Sequence, residues 1–503
     1  MRTSRKAAQF TESVIRETFR LAAEHGAINL GQGFPDFPCP PELKSAACAA
    51  IDADDNQYPM TYGTPALRAA IAAKTARAYP GWTVDPETEI CVTCGATEAL
   101  VAVTFALLDP GDEVVLFEPW YENYGPDAVL AGAVPKPVLL REPDWTFDEA
   151  ELRAAFGPRT RAVFLCHPNN PTGKVFSAEE LALIGELCVQ WDAVLVVDSI
   201  YEHIHQLGPG GYLPPARVPG LEGRTITINA LSKTYAVTGW RVGWTVAPPE
   251  LTAAIRKVHD FLTIAAPAPL QAAGVAALEL PPSYYTGLAT AYRERRDLLC
   301  AALEDLGFAL RRPDGAYYVL CDIGQLDPGG DGVAFARRLI TEIGVSCVPA
   351  ASFWRPENAA SGRGKVRFAF PKRTQTLEAA ITRLQRLRTR LSGGAAEQPV
   401  PVTCPAPAPS AVPGTGLRRS PCWRRSRICP RRWWPTPACA AVFRCGRPSR
   451  GSGPSWPASG SRGGSCPCGT TAASTCSWRH SPGPSPATCC HRQRRPPGRG
   501  LRR

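Results

Sequence analysis

Long apolar runs are missing from this 503-residue chain. No stretch of about 18 uncharged apolar residues occurs, which excludes an ordinary transmembrane helix. The start, Met1-Arg2-Thr3-Ser4-Arg5-Lys6, is basic but leads into no apolar signal core, so the expected compartment is the cytoplasm. Acid is missing from one end. Residues Pro401 to Arg503 contain 18 Arg and no Lys, Asp or Glu, whereas the first 400 residues hold 38 basic and 45 acidic side chains. The overall +11 is therefore a mildly acidic body with a strongly basic tail. It does not point to a nucleic-acid or membrane partner for the body.

Paired metal motifs are lacking as well. Ten of the 19 cysteines lie in the tail, and the other nine are scattered as reduced cytosolic thiols would be. Cys91 and Cys94 form one CxxC without a second pair or a flanking His, so no metal is expected.

The body contains what a folded enzyme requires. Hydrophobic residues make up 44%, and the length suggests two or three domains. Residues 11–25 read as a helix, and a Gly/Pro-rich loop follows from Ile28 to Pro38. Apolar runs at 113–117, 162–166, 193–198 and 225–230 read as buried strands, with helical patterns such as 178–190 between most of them. That alternation predicts an α/β fold with a mostly parallel central sheet flanked by helices. Helices are expected from Pro249 to about Phe261, from Ser283 to Leu306 and from Thr376 to Leu391, and residues 307–390 read as a smaller α+β domain.

The strongest chemical feature is Asn229-Ala230-Leu231-Ser232-Lys233-Thr234-Tyr235-Ala236-Val237-Thr238-Gly239-Trp240-Arg241-Val242-Gly243. A lysine just past a strand end sits where open α/β sheets bind ligands. Its amine can form a Schiff base with an aldehyde, and Arg241 can hold a phosphate through paired hydrogen bonds. Alone, such a pair is more often surface charge. The rest of the chain reverses that weighting. Asp198 ends an apolar strand, where a carboxylate is either a helix cap or the partner of a buried cation such as a pyridinium. Tyr201 follows three residues on. His167-Pro168-Asn169-Asn170-Pro171-Thr172-Gly173 closes another strand, and Asn170 offers a donor there. Cys94-Gly95-Ala96-Thr97 reads as a turn into a helix whose N–H groups suit a phosphate. Trp120 is either a core residue or a ring that stacks on an aromatic cofactor.

This ordered set, together with Leu30-Gly31-Gln32-Gly33-Phe34-Pro35-Asp36-Phe37, resembles the class I/II aminotransferases of pyridoxal-phosphate fold type I over residues 10–391. Within them it is similar to the kynurenine aminotransferase/glutamine transaminase K group. The resemblance implies pyridoxal 5′-phosphate as cofactor and Lys233 as the Schiff-base lysine. It pairs Asp198 with the ring nitrogen, sets Asn170 and Tyr201 against the phenolic oxygen, and places Trp120 on the ring. Gly95, Ala96, Thr97, Ser232 and Arg241 would surround the phosphate, and Tyr58 would reach the phosphate of a partner subunit. A homodimer with shared sites follows. Arg367 would bind the substrate α-carboxylate beneath a closing loop at Gly33. Amino-group transfer from an L-amino acid to a 2-oxo acid by a ping-pong route is the implied reaction. A lyase or a cyclising synthase like capreomycidine synthase is the same-fold rival.

The implied domains are an arm and small-domain segment at 1–45, a cofactor-binding domain at 46–280 and a small domain at 281–391. Two departures stand out. Ala230 replaces the Ser or Thr that many relatives carry three residues before the lysine. Residues 261–267 offer small aliphatics where kynurenine-type enzymes place an aromatic and a His, which argues against an aromatic substrate. The Arg/Pro/Cys-rich tail from about 392 has no helix or strand period. The reading is a disordered or frameshift-derived extension of a GC-rich gene.

Overall fold

In the computed structural model, the structure describes residues 4–391 except Thr11 and Pro209, and these residues form one compact unit. The expectations for the tail after 392 lie outside the described residues.

Seven strands build the main sheet: β1 (Ile90–Thr93), β2 (Glu113–Glu118), β3 (Val134–Leu139), β4 (Thr160–Cys166), β5 (Val194–Asp198), β6 (Thr225–Ala230) and β7 (Gly243–Val246). Their order is β1-β7-β6-β5-β4-β2-β3. The pairs among β3, β2, β4, β5 and β6 are parallel, while β7 runs against both of its neighbours. β2, β6 and β7 are buried at every position, as expected of strands covered on both faces. The helix predicted over 178–190 spans Ala178–Gln190. It begins with a capping box, in which Ser177 and Glu180 each satisfy the other's backbone amide.

A second sheet carries the small domain: β8 (Ala309–Leu310), β9 (Tyr318–Asp322), β10 (Val348–Pro349) and β11 (Lys365–Ala369), in the order β10-β11-β9-β8 with antiparallel pairs. The long helix Pro282–Asp305 precedes it, and Thr374–Leu384 follows. Near the N-terminus, Ile28–Asn29 pairs in parallel with Val345–Ser346. This separate two-stranded pairing ties the start of the Gly/Pro-rich loop to the segment just before β10. Among the described residues, no helix is long and apolar enough to cross a membrane.

Candidate active site

The carboxyl ends of the parallel strands open onto a cavity of about 350 Å³, which Gly33, Ala96, Thr97, Tyr121, Asn170, Asp198, Tyr201, Ser232, Lys233 and Arg241 help to line. β5 delivers Asp198, the turn after β4 delivers Asn170, and the short helix Leu231–Thr234 carries Ser232 and Lys233. The two further helices at the site are α1 (Ala96–Leu107) and α2 (Tyr124–Ala131), and α3 is Leu231–Thr234.

Lys233 Nζ donates to the carbonyl of Gly33 at 3.0 Å. Burial lowers its pKa to about 8, and Arg367, Arg241 and Lys372 push the same way, against Asp198. Half of such amines are neutral near pH 8, as a proton-accepting lysine requires. The sign for stability follows. Below about pH 8 the amine is charged in both folded and unfolded chains, so the cost of holding the charge inside is fully present. The cost fades between about 8 and the ordinary 10.5. Lys233→Met is therefore expected to stabilise the cofactor-free protein at pH 7 by about 2 kcal/mol, less than the whole shift because the side chain still borders the cavity. That gain should shrink as pH approaches 10, which denaturant titration at several pH values would measure.

Asp198 is buried, and burial pushes its carboxyl above the ordinary range. Three groups oppose this: the Tyr124 hydroxyl, which donates to Oδ2 at 2.8 Å, the Ile200 amide and the charge on Lys233. Tyr124 begins α2 and did not figure in the sequence reading. Its signal was the third ring of Trp120-Tyr121-x-x-Tyr124, three residues after Tyr121. Tyr124→Phe removes a donor to the charged form, so Asp198 should titrate higher. The acid limb of the pH–rate profile is expected to move to higher pH.

Trp120 corrects one expectation. Its ring lies in the core, 5% exposed, and a Cβ on Gly125 of α2 would sit 3.4 Å from it. The next residue, Tyr121, lines the cavity instead. The sequence shows adjacent rings at the end of β2 but not which of the two turns inward.

The anion side of the cavity is built from backbone. Gly95 has φ +81, and no side chain caps the twelve-residue α1 that it starts. A Cβ at Gly95 would lie 2.3 Å from the Arg241 guanidinium. Arg241 is itself left-handed at φ +56 and donates to the Thr238 and Cys94 carbonyls. A Cβ on Gly243, the first residue of β7, would lie 2.6 Å from the Gly95 carbonyl carbon and 2.8 Å from the Ala96 nitrogen. Ala230 is buried and offers no hydroxyl, whereas Ser232 is on the cavity wall.

Arg367, on β11, is 1% exposed. It donates to Asn170 Oδ1 at 2.7 Å and to the Gly31 carbonyl at 3.2 Å, and lies between the rings of Tyr318 (4.0 Å) and Phe353 (4.7 Å). Its Nε has no hydrogen-bond partner. Tyr201 donates to the Tyr318 hydroxyl at 3.3 Å. A Cβ at Gly33 would fall 1.9 Å from that same Tyr318 oxygen, so only glycine fits beneath the ring. Tyr58, expected at the phosphate of a partner subunit, is 81% exposed, and Phe261 and Ile264 of the aliphatic segment are 95% and 45% exposed. Cys91 is buried with its thiol pushed up to about 12, and no disulfide joins it to Cys94. Among the described residues, no three His, Cys, Asp or Glu side chains are grouped as metal ligands.

Comparison with known proteins agrees with this geometry. The family model described as "Aminotransferase class I and II" matches residues 25–384. The chain belongs to the class I and II aminotransferases. It is 40% identical over 389 residues to the probable N-succinyldiaminopimelate aminotransferase of Mycobacterium tuberculosis, covering 76% of this chain and 97% of that one. The solved structure of the M. tuberculosis N-succinyldiaminopimelate aminotransferase superposes with a TM-score of 0.73, covering 77% of this chain and 100% of that one. The methionine aminotransferase of Escherichia coli is 36% identical over 76% of this chain and 97% of its own. Human kynurenine–oxoglutarate transaminase 1 is 33% identical over 75% and 96%. This aminotransferase thus has the fold type I architecture of its family, whose members use pyridoxal phosphate and transfer amino groups by a ping-pong route.

Proposed function

We propose that the cavity at the strand ends binds pyridoxal 5′-phosphate and moves an amino group between an L-amino acid and a 2-oxo acid. One observation carries this reading. A lysine amine held near pKa 8, a buried carboxylate and Arg241 line the same 350 Å³, and Arg367 is bonded to Asn170 on its wall. The residues fit the cofactor. Cations outnumber the single Asp198 carboxylate, the uncapped α1 and Arg241 form an anion cradle, and the orphan Nε of Arg367 keeps a donor free for a second anion.

Lys233 would hold the cofactor's aldehyde carbon, Asp198 its ring nitrogen, Asn170 and Tyr201 its phenolic oxygen, and Gly95, Ala96, Thr97, Ser232 and Arg241 its phosphate. When bound, the cofactor supplies an electron sink for the carbanion at the substrate Cα. The chain's own residues do the rest. Arg367 grips the α-carboxylate with two parallel hydrogen bonds and fixes the Cα–H direction. Lys233 takes the Cα proton as general base and delivers it to the other side of the transferred nitrogen. Tyr121 covers the cavity wall and excludes water.

The reading extends to a cytoplasmic homodimer with 46–280 as the cofactor domain, and with 1–45 and 281–391 forming the smaller one. Exposed Ile51, Tyr58, Met60, Phe261 and Ile264 support a covering partner, since they are large apolar groups left outside their own core. A matrix of amino acids against 2-oxo acids tests the function on the purified protein. Turnover that requires the acceptor supports transamination; turnover without any acceptor selects the lyase or cyclase chemistry instead.

A further inference from the structure

The loop over the cavity presents four successive carbonyls, and each is taken by a cation. Gly31 accepts from Arg367, Gly33 from Lys233 and the Tyr317 hydroxyl (2.7 Å), and Phe34 and Gln32 from Lys372 Nζ at 2.8 and 3.5 Å. Lys372 lies five residues beyond Arg367 and is 2% exposed. Its ammonium also sits 4.0 Å from the centre of the Phe34 ring. No carboxylate lies within 4 Å of it among the described residues, although the Asp36 charge acts on it from farther off. Holding an ammonium inside without a paired anion is costly, and such groups persist where something is gained from them.

The gain lies in how the three cations divide the loop. In the proposed function Arg367 and Lys233 are claimed by the substrate carboxylate and by the cofactor. Their bonds to Gly31 and Gly33 are therefore exchanged during the reaction. Those of Lys372 are not, because its nitrogen faces the loop and is not on the cavity wall. The segment that carries it is itself anchored. Its carbonyl accepts from Arg295 Nε at 2.7 Å, and Asp36, at the loop's far end, accepts from the Arg373 amide (2.5 Å) and the Thr376 hydroxyl (2.6 Å).

We propose that Lys372 is a positioning residue for amino-group transfer: through the carbonyls of Gln32 and Phe34 it holds the 32–34 loop closed over the cavity while Arg367 and Lys233 change partners. The inference rests on the aminotransferase reading of the cavity. It concerns substrate capture rather than proton transfer, so its signature is in KM.

Two measurements on the full-length protein test it. In Lys372→Met, KM for both amino acid and 2-oxo acid is expected to rise about tenfold or more while kcat stays within about threefold. Hydrogen exchange at amides 31–36 should accelerate about tenfold, with that of Tyr318–Asp322 and Lys365–Ala369 unchanged. Lys372→Arg, which keeps the charge, should recover most of the KM. Unchanged KM in Lys372→Met, or unchanged exchange at 31–36, overturns the proposal, and so does faster exchange spread over the whole fold. If Lys372→Met does not fold, Lys372→Gln is read by the same two criteria. Failure of the parent protein to transaminate defeats the functional reading, whereas the exchange measurement still decides whether Lys372 holds the loop.

Discussion

Lys233→Ala is expected to lower the transamination rate by at least about 10⁴-fold, the upper range for losing a positioned acid–base group. The size follows from how much rests on one nitrogen. Among the described residues, Lys233 is the amine that lines the cavity, and its surroundings lower its pKa to about 8. The other lysine held near 8, Lys372, is committed to the loop carbonyls. Among the described residues, no second amine lines the cavity to take over the proton. The change should also remove the covalent mark. After incubation with pyridoxal phosphate and reduction with borohydride, the parent's peptide containing residue 233 should carry a pyridoxyl group, and the variant's should not. A reducible adduct of equal yield in Lys233→Ala would place the cofactor's attachment elsewhere.

Arg367→Ala carries the second large effect, a fall in kcat/KM of about 10²–10³-fold. Truncating one member of a buried, hydrogen-bonded charge pair costs about 2–5 kcal/mol, and each 1.4 kcal/mol is tenfold in rate. The guanidinium is buried between two rings, so its plane is fixed before substrate arrives. Lys at this position would supply charge without the planar pair of donors. Arg367→Lys should therefore recover only part of the loss. Cofactor absorbance should change little in either variant, because Asn170, which lines the cavity, stands between it and Arg367. Equal kcat/KM for the parent and the Ala variant would remove Arg367 from substrate binding.

Much of this site was legible in the sequence because the residues that build it stand at the ends of strands. β6 came out as read, Thr225–Ala230, because an apolar run buried on both faces leaves a clear pattern. Asp198, Asn170 and Lys233 then had to face the same edge. What the sequence hid was decided by packing across distant segments. The antiparallel β7 is four residues long and follows directly on the Thr-Gly-Trp-Arg motif, so its period was too short to show its direction. Trp120 and Tyr121 are both aromatic, and only packing against distant segments separates the ring in the core from the ring on the cavity wall. Lys372 meets Gln32 and Phe34 across 338 to 340 positions of chain, and no local pattern reports such a contact. The helix expected over 376–391 instead begins at Thr374 and is divided after Leu384, with a second helix at Arg386–Leu391.

The close approach of Gly243 to Gly95 and Ala96 gives the reversed strand β7 a purpose as a gauge. The bare α-carbon of Gly243 faces the Gly95–Ala96 peptide, and the spacing between strand and helix end is the thickness of a backbone with nothing added. A methyl group on Gly243 would push α1 outward and carry its first amides away from Arg241, and one on Gly95 would strike the guanidinium itself. The depth of the anion cradle is thus calibrated by two absent side chains nearly 150 positions apart. Gly243→Ala would recalibrate it through the backbone of Gly95 and Ala96, with every cavity side chain unchanged.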